Sequence, residues 1–265
     1  MSFFGQKDFL LEVAKGHVPG HSSGFIVGGS KLIQTTETST VWDLGGNYAW
    51  AAANTQYYLS STDALDTAVT VVVTGVDEDC VPFTATATTN GQNQVALNIP
   101  WTRDINIALV VGSISAVGDL FIAESDTLAG GKPVTAGKIK AMIPLARKAF
   151  DTIIDTGTQF ASDGVSHLGI YTVAVDHTLF LRSAIVYTTK NHDIELSGRV
   201  RFEGGTWLNR SPGDVYQNGT TQDFSVWLSI PEKTQFEVRA IAGDLANSSV
   251  HFQYQFILVD NAFLP

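Results

Sequence analysis

The chain has 265 residues, enough for one large all-β domain or two ordinary ones, each able to bury its own core. Only 16% of the residues are charged and the formal net charge is −10, which argues against the broad basic face that nucleic-acid binders present to phosphate. The single cysteine, Cys80, rules out an intrachain disulfide, so core packing or assembly must hold the fold.

The N-terminus places Lys7, Asp8, Glu12 and Lys15 where a secretory signal would carry its apolar run, and no stretch approaches about 20 uninterrupted apolar residues. The expectation is a chain made in the cytoplasm, with neither signal peptide nor membrane span. Its first forty residues differ from the rest. Phe3, Phe4, Phe9, Leu10, Leu11 and Val13 form an apolar opening, and Gly16, Pro19, Gly20, Ser22, Ser23, Gly24, Gly28 and Gly29 follow. A short helix fits Lys7 to Lys15; beyond it the glycines and the proline break any regular element. Residues 1–38 therefore read as an extended arm.

From Thr38 onward, short β-prone runs recur at the spacing of a sandwich or barrel. They include TAVTVVVTGVD from Thr67, PFTATATT from Pro82, QVALNIPW from Gln94 and INIALVVGSI from Ile105. In the second run Phe83, Ala85 and Ala87 share one face and the threonines the other, a period of two. The stretch from Gly130 to Asp163 is the weakest in β signal, with a short helical turn around Leu145 to Phe150, and the domain junction is placed near Asp155 to Gly164.

The last hundred residues give a cleaner pattern: LGIYTVAVD, HTLFLRSAIVYTT, IELSGRVRFEGGTW, TQDFSVWLSI, TQFEVRAIAG and VHFQYQFILVD all read as strands. In the last of these Val250, Phe252, Tyr254 and Phe256 alternate with His251, Gln253 and Gln255, so a one-residue slip would bury three polar groups. Glu203-Gly204-Gly205 and Asn218-Gly219 suit tight turns between strands. The fold class is all-β: two antiparallel β-sandwich, jelly-roll-like domains over 39–155 and 156–265, preceded by the arm.

Tests for chemistry return no catalytic, cofactor or metal residue. His17 and His21 have the spacing of a helical zinc pair, but Pro19 and Gly20 between them oppose a helix and no acidic residue supplies a base. Ser22 beside His21 lacks a nucleophile elbow. Asp77, Glu78 and Asp79 fall in a turn without the spaced oxygen ligands of a calcium loop, and Asp63 and Asp66 lie shortly before them. Gly130-Gly131-Lys132 continues into Pro133 rather than Ser or Thr, and so reads as a turn, not a phosphate loop. Trp42, Trp50, Trp101, Trp207 and Trp227 are expected in the core or at subunit interfaces rather than as sugar platforms. The remaining histidines, His167, His177, His192 and His251, are expected at strand ends or on outward faces. The basic set Lys132, Lys138, Lys140, Arg147 and Lys148 is expected to meet an acidic neighbour or solvent.

Several segments together are similar to a family of accessory virion structural proteins of tailed bacteriophages, of the podovirus-like, marine type. They are FLLEVAKGHVPGHSSGFIVGG, VWDLGGNYAW, LSSTDALDTAVTVVVTGVDED, GIYTVAVDHTLFL, RVRFEGGTW, IPEKTQFEVRAIA and FILVDN. The resemblance implies a non-enzymatic virion component made in the bacterial host cytoplasm. A head decoration or cement protein is the first reading. A tail or head-tail junction attachment protein, such as a collar, adaptor-bound or fibre-base component, is the alternative, and a carbohydrate-binding adsorption module comes after it. The expected partners are the major capsid protein or tail and adaptor subunits, with a homo-oligomer, favoured as a trimer, and neither membrane nor nucleic acid. The expected contact residues are Phe3, Phe4, Phe9, Leu10, Leu11, Val13, His17 and His21, and no cofactor is expected.

Overall fold

The computed structural model describes residues 8–51, 55–99, 102–112, 116–144, 164–188, 193–216, 220–243 and 248–264. A helix α1 (Phe9–Ala14) opens the described chain. The strands of the first half are β1 (His21–Ile33), β2 (Ser39–Thr40), β3 (Tyr57–Ser61), β4 (Thr70–Asp77), β5 (Pro82–Thr88), β6 (Val95–Ala96), β7 (Thr102–Val111), β8 (Leu120–Glu124), β9 (Leu128–Ala129), β10 (Lys132–Pro133) and β11 (Ile139–Ile143). Those of the second half are β12 (Ile170–Thr172), β13 (His177–Thr188), β14 (Ile194–Arg201), β15 (Trp207–Tyr216), β16 (Thr220–Ile230), β17 (Gln235–Ala242) and β18 (Ser248–Asp260). The protein is all-β, built from small antiparallel sheets rather than from two clear jelly rolls. No helix among the described residues is long and apolar enough to cross a membrane.

Two sheets enclose the larger core. One has the order β1-β18-β13-β16; the other has the order β12-β17-β14-β15, with β2 also paired to β17. The alternation in β18 is realised: Val250, Phe252, Tyr254 and Phe256 are buried, while His251, Gln253 and Gln255 lie on the opposite, partly exposed face. Leu179, Leu181, Ala184 and Val186 of β13 join them from the same sheet, and Leu196, Val200, Phe236 and Val238 face them from the other. Each large apolar side chain placed this way contributes about 1.5–3 kcal/mol. The turn at Glu203 to Gly205 forms as expected, with Gly204 at φ 68° and the Gly205 amide donating to the Phe202 carbonyl. The turn at Asn218-Gly219 lies outside the described residues.

The extended arm is corrected by this arrangement. Residues 21–33 form an edge strand whose register with β18 runs from His21 opposite Val259 to Ser30 opposite Val250. The glycines taken as breakers are what allow it. A Cβ at Gly24 would come within 2.5 Å of the Phe256 ring, and one at Gly28 within 2.2 Å of the Phe252 ring. The aromatic rings of β18 therefore lie across glycine positions of the neighbouring strand, covering backbone that has no side chain of its own. The helix expected near Lys7 to Lys15 is present as α1, capped by the Asp8 carboxylate accepting from the Leu10 amide at 3.0 Å.

The first half carries a three-stranded sheet β5-β4-β7, a four-stranded sheet β11-β8-β3-β6 and the hairpin β9-β10. Trp42, Tyr57, Leu59, Val71, Val73, Ile105 and Leu120 contribute to its core. β8 and β11 fall outside the strands read from sequence, and β11 lies within the stretch read as weakest in β signal. The expected strand from Gln94 shortens to two residues. The expected helical turn at Leu145 to Phe150 and most of the expected junction lie outside the described residues.

Residues 164–172 stitch the two halves together. The amide of Val110 donates to the Gly164 carbonyl at 2.7 Å, and that of Ser166 to the Ala108 carbonyl at 2.8 Å. The same segment then turns to the other half, where Gly169 donates to Val27 and accepts from Val238. Gly169 sits at φ 63°, and a Cβ there would come within 2.1 Å of the Val41 carbonyl oxygen, so the crossing requires glycine twice over.

Candidate interaction surface and the polar seam

The residues expected to make contact separate into two groups. Leu10 and Val13 turn inward: Val13 is 2% exposed and packs with Ile257 and Val259, against which Leu10, Val18, Phe180 and Leu264 also lie. Phe9 and Leu11 are 47% and 50% exposed. His21 stands edge-on to the Phe9 ring at 5.8 Å and to the Phe263 ring at 6.5 Å, and Phe263 is itself 52% exposed. An aromatic cap thus forms where α1 meets the turn Asn261–Phe263. Phe3 and Phe4 lie outside the described residues.

The helix is held against the sheet by its buried face, and its polar side is satisfied locally. Glu12 accepts from Lys15 at 3.3 Å and pairs with His17 Nδ1 at 3.0 Å. His21 Nδ1 meets the Pro19 carbonyl at 2.9 Å. The two imidazoles weighed as a zinc pair are therefore turned to different partners, and no cluster of three or more metal-ligating side chains occurs among the described residues. The sheet face under α1 continues to Phe25 and Tyr187, each also about half exposed, because the register puts both on the same side as Ile257.

The other candidate groups are structural. Asp77 accepts from the amides of Asp79 and Val81, closing its turn. Asp63 accepts from the Leu65 amide, and buried Asp66 accepts from the Val117 and Gly118 amides. Gly130 and Gly131 both have positive φ and form the turn expected. The basic set does not make one patch. Lys140 is buried on Glu124 and two backbone carbonyls, Lys138 pairs with Asp126, and Lys132 lies over the Phe121 ring. Arg147 and Lys148 lie outside the described residues.

A polar seam between the halves escapes a reading of the chain. Outward positions of β14 and β17 pair in register, Arg201 opposite Gln235 and Arg199 opposite Glu237, with Trp207 of β15 beside Arg201. Glu237 is buried and accepts from Arg199 Nε at 3.2 Å, Arg199 Nη2 at 2.8 Å, Trp50 Nε1 at 3.2 Å and the Thr40 hydroxyl. The guanidinium carbons of Arg199 and Arg201 lie 4.3 and 4.8 Å from the Trp207 ring centroid. Trp50 and Trp207 are 5.3 Å apart, and Tyr48 meets both Trp50 and Trp42 edge to face. Trp42 is a core residue as expected; Trp227 is partly exposed, and Trp101 lies outside the described residues. The signal for this seam is present in the spacing of Arg199-x-Arg201 and Gln235-x-Glu237-x-Arg239, three long polar side chains and two more on facing strands. It becomes readable only once the pairing register is known.

A second missed feature is a histidine pair. His167 is buried, contrary to its expected surface position, and its Nδ1 lies 2.9 Å from His251 Nε2. The rings meet edge to face beside a cavity of about 300 Å³ that Val27, Tyr187 and Gln253 also line. The backbone of His167 is fixed to Asp43, whose carboxylate accepts its amide at 2.7 Å.

No family model matches the chain, and no curated protein matches it. Among solved structures, that of the infectious bursal disease virus Gx strain is similar at 11% identity and a TM-score of 0.28, over 92% of this chain and 74% of that chain. The Gt strain of the same virus aligns at 10% identity and a TM-score of 0.26, over 97% of this chain and 79% of the other. Hazelnut (Corylus avellana) vicilin aligns at 9% identity and a TM-score of 0.13, over 94% and 79%.

Proposed function

We propose that the chain is a non-enzymatic structural component of a bacteriophage particle that joins other virion subunits through the aromatic cap. A head decoration or cement protein is the favoured role, and a collar, adaptor-bound or fibre-base position on the tail is the alternative. The observation that carries the reading is the cap itself: Phe9 and Phe263 are each about half exposed and both stand edge-on to His21, and Leu11 is half exposed on the same helix. The ordered run of motifs similar to accessory virion proteins supplies the phage context.

Covering the exposed half of three large apolar side chains contributes roughly 1 kcal/mol each. That is small beside the roughly 4–15 kcal/mol entropic cost of association, so a single cap binds modestly. Linking several caps in a homo-oligomer, a trimer in this proposal, makes later docking events intramolecular and multiplies avidity. The net charge of −10 helps keep many copies soluble before assembly.

The test is incorporation. Purified particles assembled with the triple variant Phe9→Ser, Leu11→Ser, Phe263→Ser should lack the protein although the free variant stays folded, and normal incorporation would overturn the cap as anchor. Counting copies in wild-type particles separates the two positions: a shell lattice demands hundreds, whereas closed rotational symmetry on the tail axis sets a count of order ten.

A further inference from the structure

We propose that the mouth of the polar seam, at Arg201, Trp50 and Trp207, is a binding site for a carboxylate carried on a sugar ring, the chemistry of a uronic acid. The reading is independent of the virion role. Arg201 and Arg199 lie two residues apart on the same strand face but in different chemical situations. Arg199 spends Nε and Nη2 on Glu237. Arg201 spends only Nε, donating to Gln235 Oε1 at 2.7 Å, and no described carboxylate lies within ion-pair distance of its terminal nitrogens. The guanidinium carbon nevertheless lies 4.8 Å from the Trp207 ring centroid and 5.6 Å from that of Trp50. Burial works against its charge and lowers its pKa.

A guanidinium fixed through Nε presents Nη1 and Nη2 as a planar fork, and the ligand that fits a planar fork is a carboxylate binding through both oxygens. The two indoles, tilted at 48° to one another with centroids 5.3 Å apart, stand next to that fork. A ligand filling both needs a ring with a C–H face adjoining its carboxylate. Orientation is set in advance. Trp50 is pinned by its bond to Glu237, and Arg201 by Gln235, so little side-chain freedom is lost on binding. Polyanions such as nucleic acid are opposed by the net charge of −10, whereas a ligand with one carboxylate meets only the local field.

The test uses the full chain, titrated with glucuronate and followed by calorimetry and tryptophan fluorescence. Glucose and acetate supply the ring and the carboxylate separately. Saturable binding of glucuronate, with glucose and acetate each weaker by on the order of tenfold or more, is expected. Arg201→Gln should abolish binding. Arg201→Lys keeps the charge without the fork and should weaken binding about tenfold. Trp207→Ala should weaken glucuronate but not acetate. Absence of saturable glucuronate binding to the wild-type protein would overturn the proposal, and so would equal binding by a folded Arg201→Gln variant. Self-association that depends on Arg201 without any glucuronate binding would show instead that an acidic side chain of a second copy fills the fork.

Discussion

Asp104 and Gln235 stand far apart in the chain, on β7 and β17, yet Gln235 Nε2 donates to Asp104 Oδ2 at 2.7 Å. The Thr172 hydroxyl donates to the same oxygen at 2.8 Å, and Asn106 exchanges two further bonds with the Thr172 backbone. One buried carboxylate therefore gathers β7, β12 and β17 at the point where the halves meet.

Burial raises the Asp104 pKa, and its two hydrogen bonds only partly oppose the shift. Between the unfolded value, about 3.9, and the raised folded value, the folded chain binds more protons than the unfolded chain. Stability attributable to this group thus falls as pH rises through that window and returns on acidification. Asp104→Asn, which keeps an acceptor and removes the charge, should flatten this part of the profile. Asp104→Ala leaves two buried donors unpartnered and should cost about 1–3 kcal/mol for each. Urea unfolding at a series of pH values checks both.

Glu237 holds Arg199, Trp50 and Thr40 at once. Glu237→Ala leaves the Arg199 charge half-buried without its partner and should destabilise by about 3–5 kcal/mol. Arg199→Met with Glu237→Leu should recover only part of that loss: it removes the Arg199 charge, but Arg239 Nε, 3.9 Å from Glu237, and the Trp50 and Thr40 donors still lose their carboxylate. Thermal unfolding of the single and double variants reads the difference.

Deleting residues 1–35 removes α1 and β1 together, and with them the strand that pairs β18 over its length. The truncated chain should lose its cooperative unfolding transition, because Phe252 and Phe256 lose the backbone that covers them. Circular dichroism during heating distinguishes this from a detachable leader, whose removal would leave the transition intact.

Gly24→Ala places a methyl group against the Phe256 ring, whose atoms are its three nearest neighbours. The expected cost is about 1–3 kcal/mol. Phe256→Leu should relieve part of it, so the two changes should be less damaging together than their sum. A double-mutant cycle in denaturant measures the coupling.

The first of these contacts also marks where reading the chain stops. Period-two alternation is a local property, so β13, β14, β17 and β18 are legible in their own residues, as are α1 with its Asp8 cap and the Gly204 turn. β1 is not, since Gly24 and Gly28 look like breakers until the rings of Phe256 and Phe252 are seen to occupy the space their side chains would take. Of the residues expected to make contact, Phe9 and Leu11 are exposed, whereas Val13 and Leu10 pack on Ile257 and Val259.

The sequence by itself determined the all-β class, the faces of the strands in the second half and that Cys80 makes no intrachain disulfide, because alternation, turn chemistry and residue counts act within a few positions or over composition alone. Only the tertiary structure decided that the N-terminal segment completes a sheet with the C-terminal strand, that Arg199, Arg201, Gln235 and Glu237 form one ladder, and that His167 meets His251. Those contacts join residues tens to hundreds of positions apart, and their geometry depends on pairing register and on which faces pack together, neither of which is written in any single stretch of the chain.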